Sequence, residues 1–237
     1  MTRPPTVGAA KRALRAAADP ARARVSRSFF KTGPGQYGES DRFLGIATPQ
    51  LRQLARQFDT LTLPAIEKLL QSPWHEERAL ALLLLVHQYQ HGDRAAREAV
   101  YDLYLRNTGR INNWDLVDCS AEYIVGPHVP RGKRAILRRL AKSDSLWERR
   151  IAVLATRSFI RQGDFEETLR IAAMLLEDPE DLIHKAVGWM LREIGDRDRA
   201  AEERFLEQHA AIMPRTMLRY AIEKFPAARR RHYMRRT

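Results

Sequence analysis

The 237-residue chain can bury a substantial core in one or two domains, and its 44% hydrophobic and 30% charged residues, with mean hydropathy -0.47, exclude a disordered or fibrous protein. Its longest apolar run, the eight residues Ala79 to Val86, falls far short of the roughly 20 that a membrane helix needs, Met1-Thr2-Arg3-Pro4-Pro5 leads into no signal region, and the single Cys119 excludes an intrachain disulfide and a cysteine-built zinc site, so the cytoplasm is the expected location. The net charge of +12 sits at the ends, eight Lys/Arg against one acid in residues 1–31 and five Arg against none in 229–237, so a nucleic-acid surface on the neutral body requires its charges to segregate onto one face.

Almost every segment reads as helix. Alanine-rich Ala9 to Ala18 is stopped by Asp19-Pro20, which opens a second helix to Lys31; glycine-rich Thr32 to Asp41 is loop. Thr48-Pro49 predicts a helix start, a capping hydroxyl with proline at the first helical position. Helical spacing then covers 63–71, 74–90, 93–106, 113–122, 132–142, 146–161, 164–176, 180–194, 198–212 and 214–224. No segment alternates with period two long enough to be a strand. Arg78, Arg150 and Lys185 each precede an apolar run, Arg219 extends the series, and Asp118 takes the matching place between the first two. The steps between these positions are 40, 32, 35 and 34 residues, within or just below the range of helix-pair repeats. The expectation is all-α: a monomeric HEAT-like α-solenoid of helix pairs with a concave basic cleft, one domain over 1–228 and an Arg-rich tail over 229–237.

In such a solenoid Arg78, Asp118, Arg150, Lys185 and Arg219 form a ladder along the concave face. The cations either hold successive phosphates of a duplex or pair with acids of neighbouring repeats. The acid is the informative member. With Asn113 as a cap, Trp114 and Asp118 lie four apart on one face near a helix N-terminus, where the helix dipole would favour the carboxylate. Taken as an isolated pair, Trp114 reads first as core, and Asp118 as an acid that simply satisfies the dipole. Trp74 and Trp147 need no role beyond packing, while Trp189, one turn after Lys185, stands either in the core or in the cleft. His87 and His91 have the spacing of two zinc ligands without the glutamate of the zincin motif, and no Gly-rich phosphate loop occurs, so no metal or cofactor is expected. Cys119 reads as a packed thiol.

Phe43-Leu44-Gly45-Ile46-Ala47-Thr48-Pro49, Trp114-Asp115-Leu116-Val117-Asp118, Trp147-Glu148-Arg149-Arg150 and Lys185-Ala186-Val187-Gly188-Trp189-Met190-Leu191-Arg192-Glu193 resemble, in order and spacing, the AlkD family of bacterial DNA alkylation-repair glycosylases. The likeness runs from about Pro20 to Phe225. It implies HEAT-like repeats around double-stranded DNA and hydrolytic removal of N3- and N7-alkylated purines, such as 3-methyladenine and 7-methylguanine. By the same resemblance Asp118 matches the catalytic aspartate, Trp114 and Trp189 the aromatic pair flanking the lesion's sugar, and Arg150 a basic residue near the lesion backbone. Lys185, Arg78 and Arg219 complete the expected DNA-binding set. The competing readings are a non-catalytic HEAT-repeat protein that binds DNA structure and a protein-interaction scaffold. A carboxylate amid cations weighs against the first, since it repels phosphates, and the Trp/Asp pair one turn apart weighs against the second.

Overall fold

The computed structural model describes residues 5–235; Met1 to Pro4, and the last two residues of the Arg-rich tail, lie outside them. Two compact units divide the chain, Met1–Ile124 and Val125–Thr237. Among the described residues there is no strand, only an isolated bridge between Arg42 and Trp74. The fold is all-α, with helices packed in HEAT-like pairs within each unit.

The first unit holds α1 (Val7–Ala16), α2 (Pro20–Phe29), α3 (Thr48–Gln57), α4 (Leu63–Leu70), α5 (His75–His91), α6 (Arg94–Arg106) and α7 (Trp114–Asp118). Helix α5 packs against α3, α4 and α6, and is apolar all round over its middle, residues 79–86. Leu80, Leu82, Leu84 and Leu85 are fully buried, each worth roughly 1.5–3 kcal/mol in water-excluded area. Helix α1 is anchored through Ala10 and Leu14, and by Lys11 and Arg15 on the buried Glu77 of α5.

Helix α2 buries none of its own residues and is placed from its ends. At the N-terminus, Asp19 accepts from the Ala21 and Arg22 amides, while its own amide donates to the Leu44 carbonyl. The Phe43-Leu44-Gly45-Ile46 motif is the other half of this joint. The amides of Leu44, Gly45 and Ile46 all donate to the buried Glu76 carboxylate, at 2.7 to 3.3 Å. Gly45 has φ +81°, and a Cβ there would overlap the Asp19 carbonyl and the Ala23 backbone, so both the turn and the close approach require glycine. Beyond the C-terminus of α2, Phe30 stacks on Phe43 and on Trp114.

Helix α8 (Ala121–His128) runs across the unit boundary at Ile124. The second unit then holds α9 (Ala135–Ala141), α10 (Leu146–Ala155), α11 (Arg157–Ile160), α12 (Glu166–Met174), α13 (Asp181–Gly195), α14 (Arg199–His209), α15 (Arg215–Ala221) and α16 (Ala227–Met234). Helix α13 is its centre, packed against α10, α14 and α15. Gly188 lets α15 close on it, since a Cβ would overlap the Met217 carbonyl and the Tyr220 side chain.

Three sequence expectations change. The helix expected over 113–122 ends at Asp118, and the one over 146–161 ends at Ala155. In each case a hydroxyl bonds a preceding carbonyl of its own helix, Ser120 to Leu116 at 2.6 Å and Thr156 to Val153 at 2.6 Å, in competition with the backbone ladder. Thr48 is the first helical residue rather than a cap, Ala47 taking that place without a side-chain bond. Most of the Arg-rich tail is helical, because Tyr233, 1% exposed and edge-on to Phe225 at 5.7 Å, holds α16 down.

Candidate functional site

Helix α7 carries the Trp114/Asp118 pair on five residues. Asn113 caps it as expected, its Oδ1 accepting from the Trp114 amide at 2.9 Å. Trp114 and Asp118 are both half-buried, so indole and carboxylate retain access to solvent. Asp118 is the last residue of the helix rather than a member of its N-terminal turn, and the expected support from the helix dipole is absent there. Asp115 occupies the first turn instead.

Trp114 stands in an aromatic group. Its ring stacks on Phe30 at 5.4 Å and meets Phe29 edge-on at 5.8 Å, with Phe29 itself 62% exposed. Phe29, Phe30, Trp114, Val25 and Arg22 line a groove of about 580 Å³ in the first unit. Beneath Trp114 lies a buried polar network that the sequence reading missed. His75 reaches Asp115 through Nε2 at 2.7 Å and Asp41 through Nδ1 at 3.2 Å; Arg78 pairs with Asp41, and Asn113 donates to Asp41 at 3.1 Å. Burial works against a charge on His75, yet the Asp115 and Asp41 carboxylates raise its pKa to about 9. Burial likewise opposes ionisation of Asp41, but His75 and Arg78 bring its carboxyl below the ordinary value. No helical or strand period links residues 41, 75 and 115; the one signal was a charged His-Glu-Glu-Arg run opening an otherwise apolar helix.

Arg78 is therefore enclosed. It is 3% exposed, bonded to Asp41 and to the Ser72 carbonyl, which leaves its guanidinium turned inward rather than toward a phosphate. Arg149 has the same relation to its helix start, bonding the Ser143 carbonyl six residues back and Asp178 at 2.6 Å. Arg150, one residue on, is 5% exposed and donates to the Leu182 carbonyl at 2.5 Å.

On α13, Lys185 and Trp189 lie one turn apart and are both half-buried. Lys185 pairs with Asp181 at 2.7 Å at a position with access to solvent. The Trp189 indole donates to Glu193 at 2.9 Å, and the Arg157 guanidinium stands 5.1 Å from its ring centroid while also reaching Glu193 at 3.4 Å. Glu193 and Arg157 thus orient the indole, a role the sequence did not signal. Arg219 is exposed, beside a groove of about 380 Å³ that it lines with Ile222, Ala227, Arg230, Arg231 and Met234.

Cys119 donates to the Leu116 carbonyl at 3.4 Å, and burial together with the carboxylates of Asp115 and Asp118 pushes its thiol far above the ordinary range. His87 and His91 stack ring on ring at 4.3 Å. Among the described residues no group of three or more His, Cys, Asp or Glu is arranged to hold a metal ion, and no helix is long and apolar enough to cross a membrane.

No curated protein sequence matches the chain. Among solved structures it is similar to one described as a predicted DNA alkylation repair enzyme from Enterococcus faecalis, with TM-score 0.68 and 17% identity over 89% of this chain and 97% of that one, a likeness of fold. The model of the DNA alkylation repair enzyme family matches residues 10–225. With that match spanning nearly all of its length, the chain belongs to the AlkD-like DNA alkylation repair enzyme family.

Proposed function

We propose that this chain is a monofunctional DNA glycosylase that hydrolyses the N-glycosidic bond of N3- and N7-alkylated purines in duplex DNA, with Asp118, Trp114 and Trp189 as its catalytic residues. The observation that carries the reading is the Trp114/Asp118 pair on one short helix, both half-buried, in a chain of this family. An N3- or N7-alkylated purine already bears positive charge and departs neutral, so the demand falls on the sugar. As the bond lengthens, C1′ gains oxocarbenium character, and a carboxylate beside it stabilises charge that exists mainly in the transition state. Asp118 supplies that carboxylate and orients the attacking water. An indole face beside such a charge adds cation–π attraction, on the order of 0.5–2 kcal/mol.

Phosphate contacts fall first to Lys185 and Arg219, the two ladder cations that keep solvent access, and Arg230 and Arg231 beside Arg219 extend that surface. Arg78 and Arg150, enclosed by their internal bonds, contribute through the ordering of their helices. The test is release of free base from N-methylated duplex DNA. Recovery of 7-methylguanine or 3-methyladenine with an intact abasic strand supports the assignment, and tight duplex binding without base release assigns a non-catalytic DNA-binding role instead.

A further inference from the structure

The residues on either side of Trp114 are tied to the same buried pair. Asn113, before it, donates to Asp41 at 3.1 Å; Asp115, after it, bonds His75 at 2.7 Å; and His75 joins the two by reaching Asp41 at 3.2 Å. Both nitrogens of His75 face carboxylate oxygens. A neutral imidazole has one N–H and one lone pair, and would set that lone pair against a carboxylate; the imidazolium donates at both ends. The ring also belongs to the aromatic group, stacked on Phe43 at 4.6 Å and against Phe30 at 5.0 Å, and Phe30 in turn stacks on Trp114.

We propose that His75, as an imidazolium bridging Asp41 and Asp115, is the positioning residue that fixes α7 and thereby holds Trp114 and Asp118 where they act. The proposal rests on the glycosylase reading of those two residues given above. A five-residue helix has little hydrogen bonding of its own and depends on such ties for its place. The charged groups in contact with the ring are Asp41 from the loop before α3 and Asp115 from α7; Arg78 of α5 reaches it through Asp41, and Glu76 is its chain neighbour on α5. Glu76 is occupied by the Leu44, Gly45 and Ile46 amides and Arg78 by Asp41, so Asp115 is the group that His75 alone neutralises among the contacts described. Loss of one His75 proton sets a lone pair against one of the two carboxylates, so the bridge from Asp41 to α7 is broken at one end whichever tautomer forms. With the His75 pKa raised to about 9, the device is closed at neutral pH and opens on the alkaline side.

The experiment is single-turnover release of 7-methylguanine from a methylated duplex under saturating enzyme, with spontaneous loss subtracted, for the wild type, His75→Gln, Asp115→Asn and the double variant. Folding is checked by circular dichroism and thermal melting, and duplex affinity is measured alongside. The wild-type rate should fall above about pH 9, and His75→Gln should run roughly tenfold slower at neutral pH with duplex affinity within about twofold and without that alkaline fall. Asp115→Asn should match it, and the double variant should be no slower than the slower single one, because both remove one tie. A folded His75→Gln with the wild-type rate and an unchanged alkaline limb, or losses that multiply in the double variant, overturns the proposal while leaving the glycosylase reading intact. A wild type that releases no base overturns both. Should His75→Gln fail to fold, Asp115→Asn carries the same rate and pH readouts.

Discussion

Asp118 ends α7 rather than beginning it, and we expect its effect on the sugar to come from direct proximity. Asp118→Asn should therefore lower single-turnover release of 7-methylguanine by roughly 10²-fold, the order expected for one electrostatic stabiliser, with duplex binding equal or tighter because a charge repelling phosphate is gone. Unchanged release would remove Asp118 from the chemistry. The cations divide by exposure. Lys185→Ala and Arg219→Ala should each weaken binding to all duplexes alike and reduce the salt slope by about one. Arg150→Ala removes the bond to the Leu182 carbonyl from an enclosed site, and should read out instead as a stability loss of about 1–3 kcal/mol with the salt slope unaltered. A salt slope that drops for Arg150→Ala and not for Lys185→Ala would reverse this division.

Among the helices, the packing of α14 on α13 carries a pH dependence. Glu202 in the first turn of α14 is 1% exposed and lies against Gly195, where there is no room for a Cβ. Its Oε1 has no hydrogen-bond partner among the described residues, and burial pushes its carboxyl up to about 8 from an ordinary value of 4.5. The folded state thus binds this proton more tightly than the unfolded state. The stabilisation is complete below pH 4.5 and is lost as pH rises through about 8, a decline on the order of 3–5 kcal/mol. His75 acts in the same direction at higher pH: its pKa is raised from 6.5 to about 9, so its contribution is full below 6.5 and disappears through 9. Denaturant midpoints measured from pH 5 to 9 should fall steadily, and Glu202→Gln should flatten the stretch below about pH 8 while leaving the alkaline part in place. A slope unchanged in Glu202→Gln would mean that the carboxyl ionises in the folded protein at little cost.

For the molecule as a whole, mechanism constrains substrate choice. The proposed set of Asp118, Trp114 and Trp189 assigns no residue the role of acid toward a departing base, so on that reading the lesion has to bring its own positive charge. Excision should be readily measured for cationic N3- and N7-alkylpurines and very slow for uracil, hypoxanthine or 1,N6-ethenoadenine, whose bases need protonation to leave. Efficient release of a neutral base would require an acid near the lesion and would end the charge-assisted mechanism.

The sequence by itself determined what depends on neighbours along the chain. Apolar residues at helical spacing specify the helices, and Asn113 before Trp114 specifies the start of α7, since caps and periodicity are local. The Trp114/Asp118 and Lys185/Trp189 pairs, one turn apart, were legible for the same reason. What the tertiary structure decided is where each polar side chain spends its charge. Arg78 and Lys185 look alike in sequence, each a cation ahead of an apolar run, yet Arg78 is turned inward onto Asp41, 37 residues away, while Lys185 pairs one turn back at a position open to solvent. The His75 bridge joins residues 34 and 40 apart, and Gly45 meets Asp19 and Ala23 across a turn; no period encodes such partners. A buried charge must find its counter-charge wherever the fold places one, because leaving it unpaired costs more than any local preference supplies.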